Sequence, residues 1–204
     1  MKYNNYFFDF DGTLYDTYPG MVDAFYQAFL NQGVKLDRKK VYQIMREDSV
    51  RKAYAIYTTP ELDSEKLHTD YKMFEAKNRQ NAKPFDGAKE LLEKISSAGN
   101  KSFLLTHRDK SSLEILKKDG LLKYFTDQVT ADDDFKRKPA PDSLNYLVAK
   151  YELDPKESVM VGDRSLDVLA GHNAKMAGIL FDPDEMIKDD FEVEQRVTSL
   201  KQID

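Results

Sequence analysis

The stretch Tyr6-Phe7-Phe8-Asp9-Phe10-Asp11-Gly12-Thr13-Leu14 decides how the chain reads. Its aromatic, apolar start suits a strand buried on both faces, and it ends abruptly in two carboxylates, a glycine and a hydroxyl. Asp9 and Asp11 are one residue apart. An extended backbone therefore projects both to the same side at the carboxyl end of a sheet, where open α/β folds bind ligands. Two anions held so close call for a cation, and Gly12 lets the chain turn away sharply. An EF-hand calcium loop needs glycine at its sixth position and glutamate at its twelfth, where this chain has Leu14 and Gly20, so that reading fails. Turn and helix-capping roles for the two aspartates stay open from this stretch alone.

Working outward, 204 residues suffice for one substantial core, or a core with an insertion. A third of the residues are charged and 41% are hydrophobic, an ordinary balance for a soluble globular chain. The absence of cysteine excludes a disulfide framework, a thiolate metal site and a cysteine nucleophile. The chain enters its first strand without a cleavable apolar leader, and no run approaches the ~20 apolar residues of a membrane span. A cytoplasmic location is expected, with no membrane partner. A net charge of −5 counts against a nucleic-acid partner. Arg38-Lys39-Lys40, after Asp37, reads as a solvated helix start. No exposed apolar stripe stands out, so a monomer is expected.

After Asp11 the period turns helical. Met21, Val22, Phe25, Ala28 and Phe29 share one face, as do Val41, Ile44 and Met45, and then Leu67, Tyr71 and Phe74. Residues 17–82 are expected to form an inserted helical unit, with Tyr42, Tyr54 and Tyr57 in its core. Residues 1–16 and 83–204 read as an α/β unit. Helices over 87–98, 113–118, 141–151 and after Asp163 alternate there with strands at 101–106, near 128–130, at 158–162 and finally near 177–181. That alternation predicts an α/β, Rossmann-like parallel sheet with helices on both faces. No Gly-x-Gly-x-x-Gly follows a strand, so a dinucleotide fold lacks its fingerprint.

Polar residues close these strands. Thr106 ends one, Lys138 lies in Lys138-Pro139-Ala140-Pro141 after the next, and Asp163 opens Asp163-Arg164-Ser165-Leu166-Asp167. Parallel strands share a carboxyl edge, which would gather Asp9, Asp11, Thr106, Lys138 and Asp163.

With these four motifs in this order, the chain resembles the haloacid dehalogenase-like superfamily of aspartate-nucleophile phosphohydrolases, over essentially its whole length. The helical insertion looks like the small cap of the phosphoglycolate phosphatase and β-phosphoglucomutase branch. The resemblance implies a Mg²⁺-dependent phosphatase that hydrolyses a small phosphorylated metabolite through an aspartyl phosphate. It implies that Asp9 is the nucleophile and a Mg²⁺ ligand, and that Asp11 is the general acid–base, its main-chain carbonyl a second ligand. Asp163 would supply a third ligand, and Asp167 would act at the metal directly or through a water. Thr106 would donate to a phosphoryl oxygen and Lys138 would offset the anionic charge. Arg46, in a segment expected between helices, resembles the substrate-facing cap loop of the mutase. It is expected to meet a second anion of the substrate, with Arg51, Lys72 and Lys77 behind it. His107 and Arg108 are expected to touch substrate, whereas His68 and His172 read as surface or packing histidines.

Rival functions divide on single residues. Met21 stands where the mutase carries a histidine, which counts against the runner-up, a sugar-phosphate mutase. Asp11 counts against a dehalogenase. A phosphoacceptor signalling module is shorter and ends its motif order in the lysine, whereas here Asp163 follows Lys138. A partner-binding pseudoenzyme has no reason to keep every one of these side chains.

Overall fold

β1 (Asn5–Phe8) is buried at all four positions because it lies in the middle of a parallel sheet. The computed structural model describes residues 1–188 and 190–204. On one side β1 pairs with β4 (Lys101–Leu105), from Asn5 opposite Lys101 to Phe8 opposite Leu104. On the other it pairs with β6 (Ser158–Gly162), from Asn5 opposite Ser158 to Phe8 opposite Val161. Ladder bonding on both edges and apolar cover on both faces explain the continuous aromatic run. Among the described residues the sheet has six strands in the order β5-β4-β1-β6-β7-β8, every pair parallel. Here β5 is Phe125–Val129, β7 Ala177–Phe181 and β8 Gln195–Val197.

Period-2 alternation sorts the sheet residues. Phe7, Phe103, Leu105, Val129 and Met160 form one buried cluster with Leu144 and Leu147 of α7 (Asp142–Tyr151) and Ala170 of α8 (Ser165–Asn173). The Phe7 and Phe103 rings stack at 4.7 Å. The helix between the helical unit and β4, α5 (Ala88–Ser97), buries Leu91, Leu92 and Ile95 and packs against β4. The next, α6 (Ser111–Lys118), starts two residues earlier than its apolar spacing predicts, where Asp109 accepts the Ser111 amide hydrogen at 2.9 Å. The last strand was expected at 177–181, but β8 follows it. Gln195-Arg196-Val197 is short and half-exposed at the sheet edge, so it carries no apolar run for a sequence reading to detect.

By contact density the chain divides into two units. The sheet unit comprises Met1–Tyr15, Pro84–Glu185 and the C-terminal stretch, and the helical unit comprises Asp16–Lys83 with Met186–Lys188. The chain passes between them through two short paired strands, β2 (Tyr15–Asp16) and β3 (Lys83–Pro84). The helical unit holds α1 (Tyr18–Leu30), α2 (Arg38–Glu47), α3 (Val50–Tyr57) and α4 (Ser64–Asn78). Its core gathers Val22, Phe25 and Phe29 with Val41, Met45, Ala53 and Leu67, and Tyr54 lies 4.8 Å from Phe25, ring to ring. Asp37, Ser49 and Asp63 cap the last three of these helices through side-chain oxygens.

Two glycines let α8 lie close to the sheet. A Cβ on Gly171 would stand 2.9 Å from Met160 Cβ and 3.0 Å from the Ala177 carbonyl, and one on Gly178 would stand 2.6 Å from Val168 Cγ1. Elsewhere in a helix, glycine to alanine gains about 0.5–1 kcal/mol. At this contact overpacking outweighs that gain, and Gly171→Ala is expected to destabilise the sheet unit by about 1–3 kcal/mol in urea unfolding.

Candidate active site

The site is assembled at the carboxyl edge of the three central strands. The Asp9 amide donates to the Val161 carbonyl at 3.0 Å, so β1 keeps its register one residue past its end and fixes Asp9 beside the end of β6. The chain then reverses. The amides of Thr13, Leu14 and Tyr15 all turn back to the Phe10 carbonyl, and Gly12 adopts a φ of 74° that strains any residue with a Cβ. Thr106 is held in the same way beyond β4, its amide donating to Val129 at 3.0 Å. Asp163 follows β6 and accepts a hydrogen bond from the Thr13 hydroxyl at 3.4 Å. Thr13 was part of the first motif but had no role in the sequence reading. Asp167 turns back over the strand it follows. A Cβ on Gly162 would lie 2.1 Å from Asp167 Cβ, so only glycine admits that carboxylate.

Lys138 joins the strands. Its ammonium donates to Asp9 Oδ1 at 2.8 Å and to the Leu105 carbonyl at 3.1 Å, and it stands 2.5 Å from Asp167 Oδ1. All three charged side chains are at most 4% exposed. Burial alone would lower the lysine pKa, but Asp167 and Asp9 outweigh it and hold the ammonium above its usual value. Burial pushes the Asp9 carboxyl up to about 7 against the pull of Lys138, and the charges of Asp167, Asp163 and Asp11 add to the rise.

The donor set fits a hard divalent cation. Asp9, Asp163 and Asp167 are buried and place one carboxylate oxygen each within 4.8 Å of one another. Lys138 is the ammonium among them, one positive charge against three negative, and the acceptors are the oxygens that Mg²⁺ prefers. The Asp11 side chain turns elsewhere. Arg108 grips it, with Nε 3.1 Å from both carboxylate oxygens and Nη2 2.6 Å from Oδ1.

The remaining expected site residues are found as follows. Arg108, only 8% exposed, has Asp11 as its partner within the sheet unit. His107 accepts the backbone hydrogen of Lys138 at Nε2, at 3.0 Å. In the helical unit Arg46 falls in the last turn of α2, not between helices, and is 1% exposed with its guanidinium 5.5 Å from the Tyr18 ring centroid. Arg51, Lys72 and Lys77 are exposed. His68 stacks on Tyr54 at 4.3 Å, and His172 pairs with Glu194 at 2.9 Å. The helical unit also carries a cleft of about 390 Å³, lined by Thr17, Met21, Asp23, Asn78, Arg79 and Lys83 among others.

With this geometry in place the comparisons with known proteins are decisive. The haloacid dehalogenase-like hydrolase family matches residues 6–191. The chain belongs to that family. A phosphoglycolate phosphatase of Vibrio parahaemolyticus is 29% identical over 189 residues, covering 83% of this chain and 79% of its own. A pyrophosphatase, PpaX, of Bacillus velezensis is 29% identical over 181 residues, covering 84% and 81%. Among solved structures, a hydrolase from Streptococcus pneumoniae TIGR4 is 37% identical with a TM-score of 0.70, covering 89% of this chain and 94% of its own. A haloacid dehalogenase-like protein from S. pneumoniae shares the fold at 20% identity and a TM-score of 0.80, covering 96% and 93%. This haloacid dehalogenase-like chain is therefore a hydrolase of the phosphatase type.

The raised Asp9 carboxyl sets the sign of a pH effect. An unfolded aspartate releases its proton near about 3.9, whereas the native one holds it to about 7. The native state thus binds the extra proton in between, and the stability this confers is complete below about 4 and lost as the pH rises through about 7. In excess chelator the melting temperature is expected to fall between pH 5 and pH 8, and Asp9→Asn to flatten most of that fall, as read by calorimetry.

Proposed function

We propose that the chain is a Mg²⁺-dependent phosphatase that hydrolyses a small phosphorylated metabolite through an aspartyl phosphate on Asp9. The observation that carries this reading is the buried ion triad, in which Lys138 bridges Asp9 and Asp167 at an edge that also holds Asp163 and Thr106. The family match supports the reaction class, and the phosphoglycolate phosphatase and pyrophosphatase relatives support a small phosphorylated substrate.

In this mechanism an Asp9 carboxylate oxygen attacks phosphorus, and the bond from phosphorus to the leaving oxygen breaks as that oxygen takes a proton from Asp11. Water then attacks the phosphoryl group, loses its proton to Asp11, and the bond from phosphorus to Asp9 breaks, returning the free carboxylate. Asp11 Oδ2 accepts from Arg108 Nε at 3.1 Å, and Oδ1 accepts from Nε at 3.1 Å and from Nη2 at 2.6 Å. Lys138 lowers the repulsion between an anionic nucleophile and an anionic substrate, and the Thr106 hydroxyl orients a phosphoryl oxygen. Mg²⁺, held by Asp9, Asp163, Asp167 or a water on it, and the Asp11 carbonyl, would polarise the phosphoryl oxygens and neutralise charge as the bond forms.

The helical unit serves as the cap that discriminates among leaving groups, and its cleft beside Met21 is the feature suited to that task. Met21 offers no titratable group there, which favours hydrolysis over the mutase reaction. Among the described residues no helix is long and apolar enough to cross a membrane.

Phosphate release from a panel including phosphoglycolate, pyrophosphate, sugar phosphates and nucleoside monophosphates is expected to require Mg²⁺ and to stop in chelator. Asp9→Asn is expected to lower turnover by more than about 10³-fold. An acid quench during turnover of ³²P-labelled substrate should leave label on Asp9. Turnover at the wild-type rate in Asp9→Asn would overturn the assignment.

A further inference from the structure

The Lys138 ammonium donates to Asp9 Oδ1 and to the Leu105 carbonyl, and it is ion-paired with Asp167 Oδ1. The same residue is held at its other end. Its backbone N–H donates to Nε2 of His107 at 3.0 Å. Leu105 and His107 flank Thr106 just past β4, so one strand end grips both the amide and the ammonium of a single lysine 31 residues further along.

An imidazole that accepts at Nε2 carries its proton on Nδ1 and is neutral. Burial, and next the positive charge of Lys138, push the His107 pKa down to about 3, so the ring remains an acceptor throughout the neutral range. Nε2 of His107 is thus committed to the backbone it holds.

We propose that His107 is a positioning residue that fixes the Lys138 backbone, and so delivers the Lys138 ammonium between Asp9 and Asp167, without itself binding the substrate. The lysine stem has four rotatable carbons and a large rotamer entropy. Anchoring the amide removes the freedom that the stem would otherwise transmit to the ammonium. Without the acceptor the N–H of the buried Lys138 is left unpaired, a loss that the loop would relieve by moving. The effect on turnover rests on the phosphatase reading; the anchoring itself does not.

The test compares His107→Leu, which removes the acceptor, with His107→Gln, whose amide oxygen reaches the place of Nε2. With the best substrate of the panel, His107→Leu is expected to lower kcat by about 10²-fold, the cost of roughly 1 Å of misplacement, while KM stays within about threefold. His107→Gln is expected to recover most of that loss. Nitrogen NMR on the wild-type protein should show His107 as the neutral Nδ1–H form from pH 5 to pH 8. Its Lys138 amide should be protected from exchange, a protection lost in the leucine variant and regained in the glutamine one. A wild-type kcat in His107→Leu, a rise in KM with kcat unchanged, or a His107 ring titrating near about 6.5 would each overturn the proposal. Because the spectra need no substrate, they decide the anchoring even if every phosphorylated compound is left intact, a result that would sink the phosphatase reading alone. Should the leucine variant fail to fold, the wild-type spectra and the glutamine variant still decide it.

Discussion

The Lys138 ammonium, buried between Asp9 and Asp167, is the interaction on which the site depends. Buried charges are tolerable only when paired and hydrogen-bonded, and each partner here is brought by a different part of the fold. Asp9 comes from the end of the central strand, Asp167 from the first turn of the helix after β6, and Lys138 from the loop before α7. The parallel order of β4, β1 and β6 brings the three ends to one edge, so the charges meet only when the sheet is formed. One ammonium leaves the carboxylates in excess, and that imbalance suits the cluster to a divalent cation.

The geometry also separates two aspartates that are nearly adjacent in sequence. Asp9 faces the buried triad, whereas Asp11, 26% exposed, faces Arg108. The turn through Gly12 thus gives two carboxylates within three residues different surroundings. Arg108 holds Asp11 in place through both carboxylate oxygens.

How much of this was legible in the sequence follows from where the information lies. The aromatic run at 6–10 is a local pattern imposed by burial, and the parallel α/β sheet was readable from it and from the alternation of strand and helix that follows. The short edge strand Gln195–Val197 was not, because pairing along one edge demands no apolar residues. At the site, residue types and order pointed to one shared edge, but the partner of each side chain was beyond reach. His107 and Arg108 read as substrate contacts because they follow Thr106, yet their partners lie at Lys138 and Asp11. Nothing in a stretch of chain announces a neighbour 31 or 97 residues away. Arg46 illustrates the same limit, since nothing in its segment foretold that it would be 1% exposed with its guanidinium over the Tyr18 ring.

The two short strands through which the chain leaves and re-enters the sheet unit lie side by side, and Leu14 and Phe85 are joined by a 2.9 Å backbone hydrogen bond. To the sheet, everything between those residues is a single loop whose ends are already closed. Evolution, or an engineer, can therefore lengthen, shorten or exchange that loop while the strands beneath it keep their register. The chain is thus built as a fixed sheet with an insertion whose length the sheet does not set.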